Sequence, residues 1–190
     1  MLKVDKKICF VVQRYGLEVN GGAELLCRQI AERMADRCSE VHVLTTKAID
    51  YITWKDEYKK EEDTINGVRV HRFGVAHPRN CEMFDRINQK FYSGKLKTEE
   101  EGEWMENQGP AVPDLIQYLA RHESEYDVFI FFTYLYYTTA VGLPLVCNKA
   151  ILVPTAHDEP FLRMRIFDDV FLTPRGILFN TEDERRLVHE

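Results

Sequence analysis

Three short stretches of this sequence carry residue types suited to chemistry on a polar ligand. The first is Asn20-Gly21-Gly22-Ala23-Glu24, which ends a loop after the apolar run Ile8 to Val12 and opens a helix. Glycine leaves the backbone open to close approach, and the free N–H groups of a helix N-terminus attract anions. The second is Val153-Pro154-Thr155-Ala156-His157-Asp158-Glu159-Pro160, at the end of another apolar run. A histidine there can hydrogen-bond a hydroxyl and can carry charge near neutral pH. The third is Thr133-Tyr134, with Tyr136 and Tyr137 close behind, after the run Val128 to Phe132. Those rings could stack on a sugar.

Each stretch also has a purely structural reading. Gly21 and Gly22 could serve only to let helix and strand pack closely. His157 could be held by Asp158 or by a helix start at Pro160, and the tyrosines could fill the core around a helix start. Arg163 and Arg165 could meet a phosphate or form a solvated face.

Spacing excludes several chemistries. A dinucleotide fingerprint needs G-x-G-x-x-G in a tight turn straight after the strand. Here Gln13 to Gly22 form a longer loop with a lone Gly16 and then the pair. No Gly-Lys-Ser/Thr follows, so it is not a P-loop either. The second strand ends in Thr45-Thr46-Lys47, without the acidic residue that would hold a ribose. No Ser/His/Asp or Cys/His triad is legible, and Cys9 lies mid-strand. His157, Asp158 and Glu159 are consecutive and do not converge on one ion, and no remote His/Cys cluster completes a site, so no metal is expected.

The elements that must position these stretches alternate. Ile8–Val12, Val41–Thr45, Val128–Phe132, Ile151–Val153 and Ile177–Phe179 are short apolar runs suited to strands covered on both faces. Val68–Phe73 alternates instead, behind the turn signal Asn66-Gly67, and reads as an edge or half-exposed strand. Ala23 to Asp36 is a helix with Leu26, Cys27, Ile30, Ala31 and Met34 on its apolar stripe and Glu24, Arg28, Glu32, Arg33 and Asp36 outside. Further helices are predicted from Pro110 or Pro113 through Ala120, over Thr138 to Cys147, and from the N-cap Thr181 onward.

The expected fold class is therefore α/β: a Rossmann-like parallel sheet with helices on both faces and right-handed crossovers. Residues 74–108 break the rhythm and read as an inserted, mainly helical excursion. Residues 47–63 read as a long polar loop holding Tyr51 and Trp54. A strand order of 3-2-1-4-5 would bring the glycine loop, Thr133 and His157 to one crevice.

The 190 residues suffice for one domain with a real core, and no Pro/Gly/Ser-rich linker divides them. Lys and Arg number 25 against 31 Asp and Glu, a net charge of −6, which argues against nucleic acid as a partner. Five cysteines without zinc spacing suit free thiols in a reducing compartment. No signal peptide or membrane-length apolar run is present, so a cytoplasmic location is expected, with peripheral membrane contact left open.

Together these pieces resemble the N-terminal domain of a family 4 glycosyltransferase of the GT-B fold. The resemblance rests on the first strand followed by Asn20-Gly21-Gly22-Ala23-Glu24 and a long helix. It extends to Val41-His42-Val43-Leu44-Thr45-Thr46, Asn66-Gly67-Val68-Arg69-Val70-His71, Tyr126-Asp127-Val128-Phe129-Ile130, Thr155-Ala156-His157-Asp158 and Ile177-Leu178-Phe179-Asn180-Thr181-Glu182. It implies a retaining transferase that moves a sugar from a nucleotide-sugar donor to a glycan, lipid or small-molecule acceptor. It implies neither a metal nor a further cofactor. It implies that His157, the candidate catalytic residue, hydrogen-bonds the donor sugar and that the loop at Gly21 and Gly22 approaches the donor phosphates or the acceptor. Thr133, Tyr134, Asp158 and Glu159, read from their own strand-end positions, complete the candidate donor- or acceptor-binding set. A GT-B enzyme has a second, donor-binding domain. None is legible here, so the expectation is an acceptor-side domain that is inactive alone. The alternative is a non-catalytic binding or regulatory module of the same fold, acting with a separate donor-binding chain.

Overall fold

A computed structural model describes residues 3–190. In chain order the elements are β1 (Val4–Val11), α1 (Gly22–Ala35), β2 (Cys38–Thr46), β3 (Glu62–Ile65), β4 (Val68–Phe73), α2 (Cys81–Tyr92), α3 (Glu101–Gln108), α4 (Pro113–His122), β5 (Val128–Phe132), α5 (Tyr137–Gly142), β6 (Ala150–Val153), α6 (Asp168–Leu172), β7 (Gly176–Ile177) and α7 (Glu182–His189). The strands form one sheet of order β3-β4-β2-β1-β5-β6-β7. All pairings are parallel except the β3–β4 hairpin. Counting only the parallel strands, the order runs 3-2-1-4-5-6, so the winding reverses between β1 and β5. The fold is the Rossmann-like α/β class that the alternating pattern predicts.

β1 shows how the sequence builds two cores. Cys9 and Val11 join the core beneath α3, α4, α5 and α6, which contribute Trp104, Leu115, Leu119, Ala140 and Val170. Ile8, Phe10 and Val12 join the core beneath α1, with Cys27, Ala31 and Ala35. Both faces of the strand are therefore apolar, as a central parallel strand requires. Burying a side chain such as Phe10 or Phe131, each fully buried, contributes about 1.5–3 kcal/mol.

Three expectations need correction and one is narrowed. β4 alternates between buried and more exposed residues, as a half-exposed strand does. It is not an edge, because β3 pairs with its outer side through the Asn66-Gly67 turn, where both residues have left-handed backbones (φ 47° and 84°). The short polar strand Glu62–Ile65 carries no apolar run to announce it. Residues 74–108 are mainly helical, but they are core rather than excursion. Trp104 is fully buried and packs 4.9 Å from the Phe161 ring, which Phe91 stacks against at 4.7 Å. Thr138 to Cys147 is not one helix: α5 ends at Gly142, and 3₁₀ turns continue through Lys149. The last strand covers two residues, Gly176–Ile177, rather than Ile177–Phe179.

The polar loop 47–63 is anchored at Trp54, which is buried and donates Nε1–H to the Gln108 carbonyl (2.8 Å). All five cysteines are free thiols, and Cys9, Cys27 and Cys38 are buried. No helix among the described residues is long and apolar enough to cross a membrane.

Candidate functional site

β1, β5 and β6 run parallel, so the loops that leave their C-terminal ends meet at one edge of the sheet. The crevice outside the reversal between β1 and β5 is where an open α/β sheet admits a ligand.

The wall after β1 is built around a buried ion pair. Arg14 donates through Nε (2.9 Å) and Nη2 (2.6 Å) to Glu24 Oε1, which also accepts from Gln13 Nε2 (2.9 Å). The same guanidinium donates to the carbonyls of Ile49 (2.8 Å) and Asn20 (3.1 Å). Glu24 therefore does not lie on the outer face of α1 as its helical position predicts. It is 6% exposed, because the first turn of α1 overhangs the loop and Arg14 supplies a counter-charge.

The two glycines have different reasons. Gly21 has an extended backbone (φ 164°) that any residue adopts, but a Cβ there would collide with the Glu24 carboxylate and meet Arg14 Nη2 at 3.1 Å. A Cβ on Gly22 would meet nothing within 4 Å and would project into open space. The first hydrogen bond of α1 runs from Leu25 N–H to the Gly21 carbonyl (2.9 Å), and Gly21 caps without a side chain. The N–H groups of Gly22, Ala23 and Glu24 precede that bond and have no partner inside the helix.

The opposite wall follows β5 and β6. Thr133 (φ 68°) and Thr155 (φ 48°) both hold a left-handed backbone, which β-branched residues rarely adopt. Thr155 Oγ1 donates to Thr133 Oγ1 (3.0 Å). Backbone bonds from Thr133 N–H to the Val153 carbonyl and from Tyr134 N–H to the Pro154 carbonyl, both 3.0 Å, continue the strand pairing past the sheet and fix the bends.

Beyond Thr155, Ala156 N–H donates to Glu184 Oε1 (2.7 Å), and Asn180 N–H donates to Glu184 Oε2 (2.6 Å). This buried carboxylate clips the β6 loop to the start of α7, whose Thr181 N-cap accepts from Glu184 N–H (3.1 Å). His157 then emerges exposed, and its imidazole has no hydrogen-bond partner among the described residues. Asp158 is exposed as well, with Oδ1 3.8 Å from Arg163 Nη1. It does not hold His157.

Tyr134 takes a different part from the one its type suggests. Its ring is fully buried, 4.8 Å from Phe167 and 5.4 Å from Phe171, so it offers no face to a sugar. Its hydroxyl donates to Glu159 Oε1 (2.6 Å), and burial together with that carboxylate pushes the phenol pKa well above its ordinary value. Tyr134 thus fixes Glu159 at the cleft.

Two adjoining hollows result. One, of about 410 Å³, is lined by Gly21, Gly22, Thr133, Tyr134, His157 and Glu159, together with Gln13, Arg14, Glu24, Tyr51, Tyr136 and Thr155. The other, of about 630 Å³, shares Gly22, Thr155 and His157 and adds Asp158, Asn180 and Asp183. All seven residues predicted from sequence therefore reach the cleft. Gln13, Arg14 and Thr155 were legible only as polar residues just past a strand end, and Tyr51 only as an aromatic in a long loop.

Arg14 is the only Lys or Arg side chain among the described residues that line these two hollows, and Glu24 is its ion-pair partner; the other basic group is the His157 imidazole. The cleft can therefore offer fixed hydroxyls, backbone N–H groups, an imidazole and carboxylates, but no free cation to clamp a diphosphate. Among the described residues no three His, Cys, Asp or Glu side chains are placed to share a metal ion. No protein-family model, no curated protein and no solved structure matches the chain.

Proposed function

We propose that this chain is the acceptor-side domain of a retaining glycosyltransferase that uses a nucleotide-sugar donor, and that the cleft between the glycine loop and the β6 edge is its saccharide site. The observation that carries the reading is the meeting of Gly22, Thr133, Thr155, His157 and Glu159 at the C-terminal edge of β1, β5 and β6. In this reading His157 bonds a hydroxyl of the donor sugar, and the open backbone at Gly22 lets the ligand lie against the start of α1. Glu159, held by Tyr134, receives an acceptor hydroxyl. Sugar transfer builds positive charge on the anomeric carbon and negative charge on the leaving diphosphate. Groups that are already oriented stabilise that separation without reorganising.

The missing free cation bears on the rest of the enzyme. A diphosphate needs charge-assisted donors, and Arg14 is committed to Glu24. The donor clamp therefore belongs to a second, nucleotide-binding domain or partner chain. The same observation supports the second reading, a binding module that acts with a separate donor-binding chain.

Saturation-transfer NMR on the 190-residue chain tests the proposal. Methyl hexosides should receive saturation, and His157→Ala should abolish it without lowering the melting temperature. Binding of a nicotinamide dinucleotide in the cleft, with no saccharide signal, would replace this reading with a dinucleotide enzyme.

A further inference from the structure

Resting on that saccharide reading, we propose that the cleft selects an amine-bearing acceptor, a saccharide or polyol carrying an ammonium group, and rejects anionic acceptors. Its polar wall is rich in hydrogen-bond acceptors. Gln13 is 1% exposed, lines the cleft, and its Oε1 has no hydrogen-bond partner while its Nε2 is spent on Glu24. All the hydrogen bonds that reach the Glu24 carboxylate go to Oε1, leaving Oε2 over Gly21. Glu159 accepts from Tyr134 through Oε1, and Oε2 has no partner among the described residues. Two carboxylate oxygens and one buried amide oxygen, all on residues that line one hollow, thus lack a donor.

The charge balance agrees. The larger hollow adds Asp158 and Asp183, with Glu184 held by two backbone N–H groups, and no Lys or Arg among the described residues; His157 is its one basic group. Burial pushes the Tyr136 pKa upward, helped by Glu24 and Glu159 and opposed by Arg14 and Arg79, so both carboxylates are close enough to act on this phenol. The positive end of the α1 dipole would favour an anion, but Glu24 in its first turn answers it. A carboxylate or phosphate entering here would shed water and meet further carboxylates. An ammonium offers three donors and an opposite charge. The Tyr136 ring, which also lines the hollow, suits a cation or an apolar ring face, while the Tyr51 ring already carries the Arg14 guanidinium at 5.2 Å.

The test compares three probes that differ at one carbon: methyl 6-amino-6-deoxyglucoside, methyl glucoside and methyl glucuronide. Titration calorimetry with the 190-residue chain at pH 6.5 and low salt should rank them amine, alcohol, carboxylate. Each step should be about tenfold, the value of one charge-assisted bond. Glu159→Gln should bring the amine to within about threefold of the glucoside while leaving the melting temperature in place, and 0.5 M salt should narrow the gap in the wild type. If the glucoside binds as tightly as the amine, or the glucuronide binds best, the amine proposal falls and the saccharide reading stands. If none of the three binds, both fall.

Discussion

The two walls of the cleft are built on opposite plans. On the β1 side the charges answer one another: Arg14 and Gln13 converge on Glu24 Oε1, Gly21 makes room for that carboxylate, and only Gln13 Oε1 and Glu24 Oε2 are left over. On the β6 side the backbone is strained at Thr133 and Thr155, and His157 is exposed without a partner. A buried, satisfied network fixes geometry, whereas strain and unpaired polar groups persist only where the surrounding structure holds them for another purpose. The first wall is chiefly scaffold, with two acceptor oxygens to spare, and the second carries the exposed and strained groups. At Gly22, where a side chain would enter open space, the backbone of the first wall is open to the cleft.

This contrast can be broken by substitution. The largest effect should come from Glu24→Ala, which leaves a buried guanidinium unpaired and should cost about 3–5 kcal/mol in urea denaturation. His157→Ala should cost less than about 0.5 kcal/mol, as an exposed, unbonded side chain should. Equal losses would erase the distinction between the walls.

Next is an acid limb that belongs to neither wall. At the far end of the sheet, burial drives the His42 pKa down to about 4 despite the neighbouring Glu40, and His71 is lowered for the same first reason. His42 Nδ1 lies 3.0 Å from the Tyr126 hydroxyl and 3.1 Å from His71 Nε2. The folded chain stays neutral there while the unfolded chain takes a proton. The stability from His42 is thus complete above pH 6.5 and falls between 6.5 and about 4, by roughly 3 kcal/mol. Denaturation from pH 8 to pH 4.5 checks this, and His42→Asn should flatten the limb. A limb that His157→Ala flattens instead would place the acid sensitivity in the cleft.

Within the glycine pair, Gly21→Ala should lose about 1–3 kcal/mol by crowding Glu24 and Arg14. Gly22→Ala should be neutral or slightly stabilising, whereas Gly22→Trp should remove saccharide binding. The smallest effect is expected at Thr155. Asn tolerates a left-handed backbone, so Thr155→Asn should raise stability by about 0.5 kcal/mol while weakening saccharide binding. A fall in stability with unchanged binding would make the strained bend scaffold after all.

Much of the fold was legible because apolar runs and one amphipathic helix announce themselves through periodicity. Connection rules gave parallel strands with right-handed crossovers, and the 3-2-1-4-5 order supposed for them agrees with the sheet. What escaped detection lacks such a signal. Glu62–Ile65 is a polar strand recruited by its hairpin partner. Trp104 and Phe91 sit among charges in sequence, but their rings find Phe161, which lies 57 and 70 residues away. The site was legible as a set of strand-end motifs, which the parallel sheet brings together. The roles within it were not. Glu24 falls on a polar helix position and is buried only because Arg14 lies below it. Tyr134 resembles a stacking residue until Phe167 and Phe171 enclose its ring.

The most direct test of the central claim is amide chemical-shift mapping of the ¹⁵N-labelled chain with methyl 6-amino-6-deoxyglucoside. Perturbations should cluster at Gly22, Ala23, Thr133, Thr155, His157 and Glu159, and leave the amides of His42 and Tyr126 unmoved. Shifts confined to other surfaces, or none at concentrations that saturate calorimetry, would contradict the assignment of this cleft as a saccharide site.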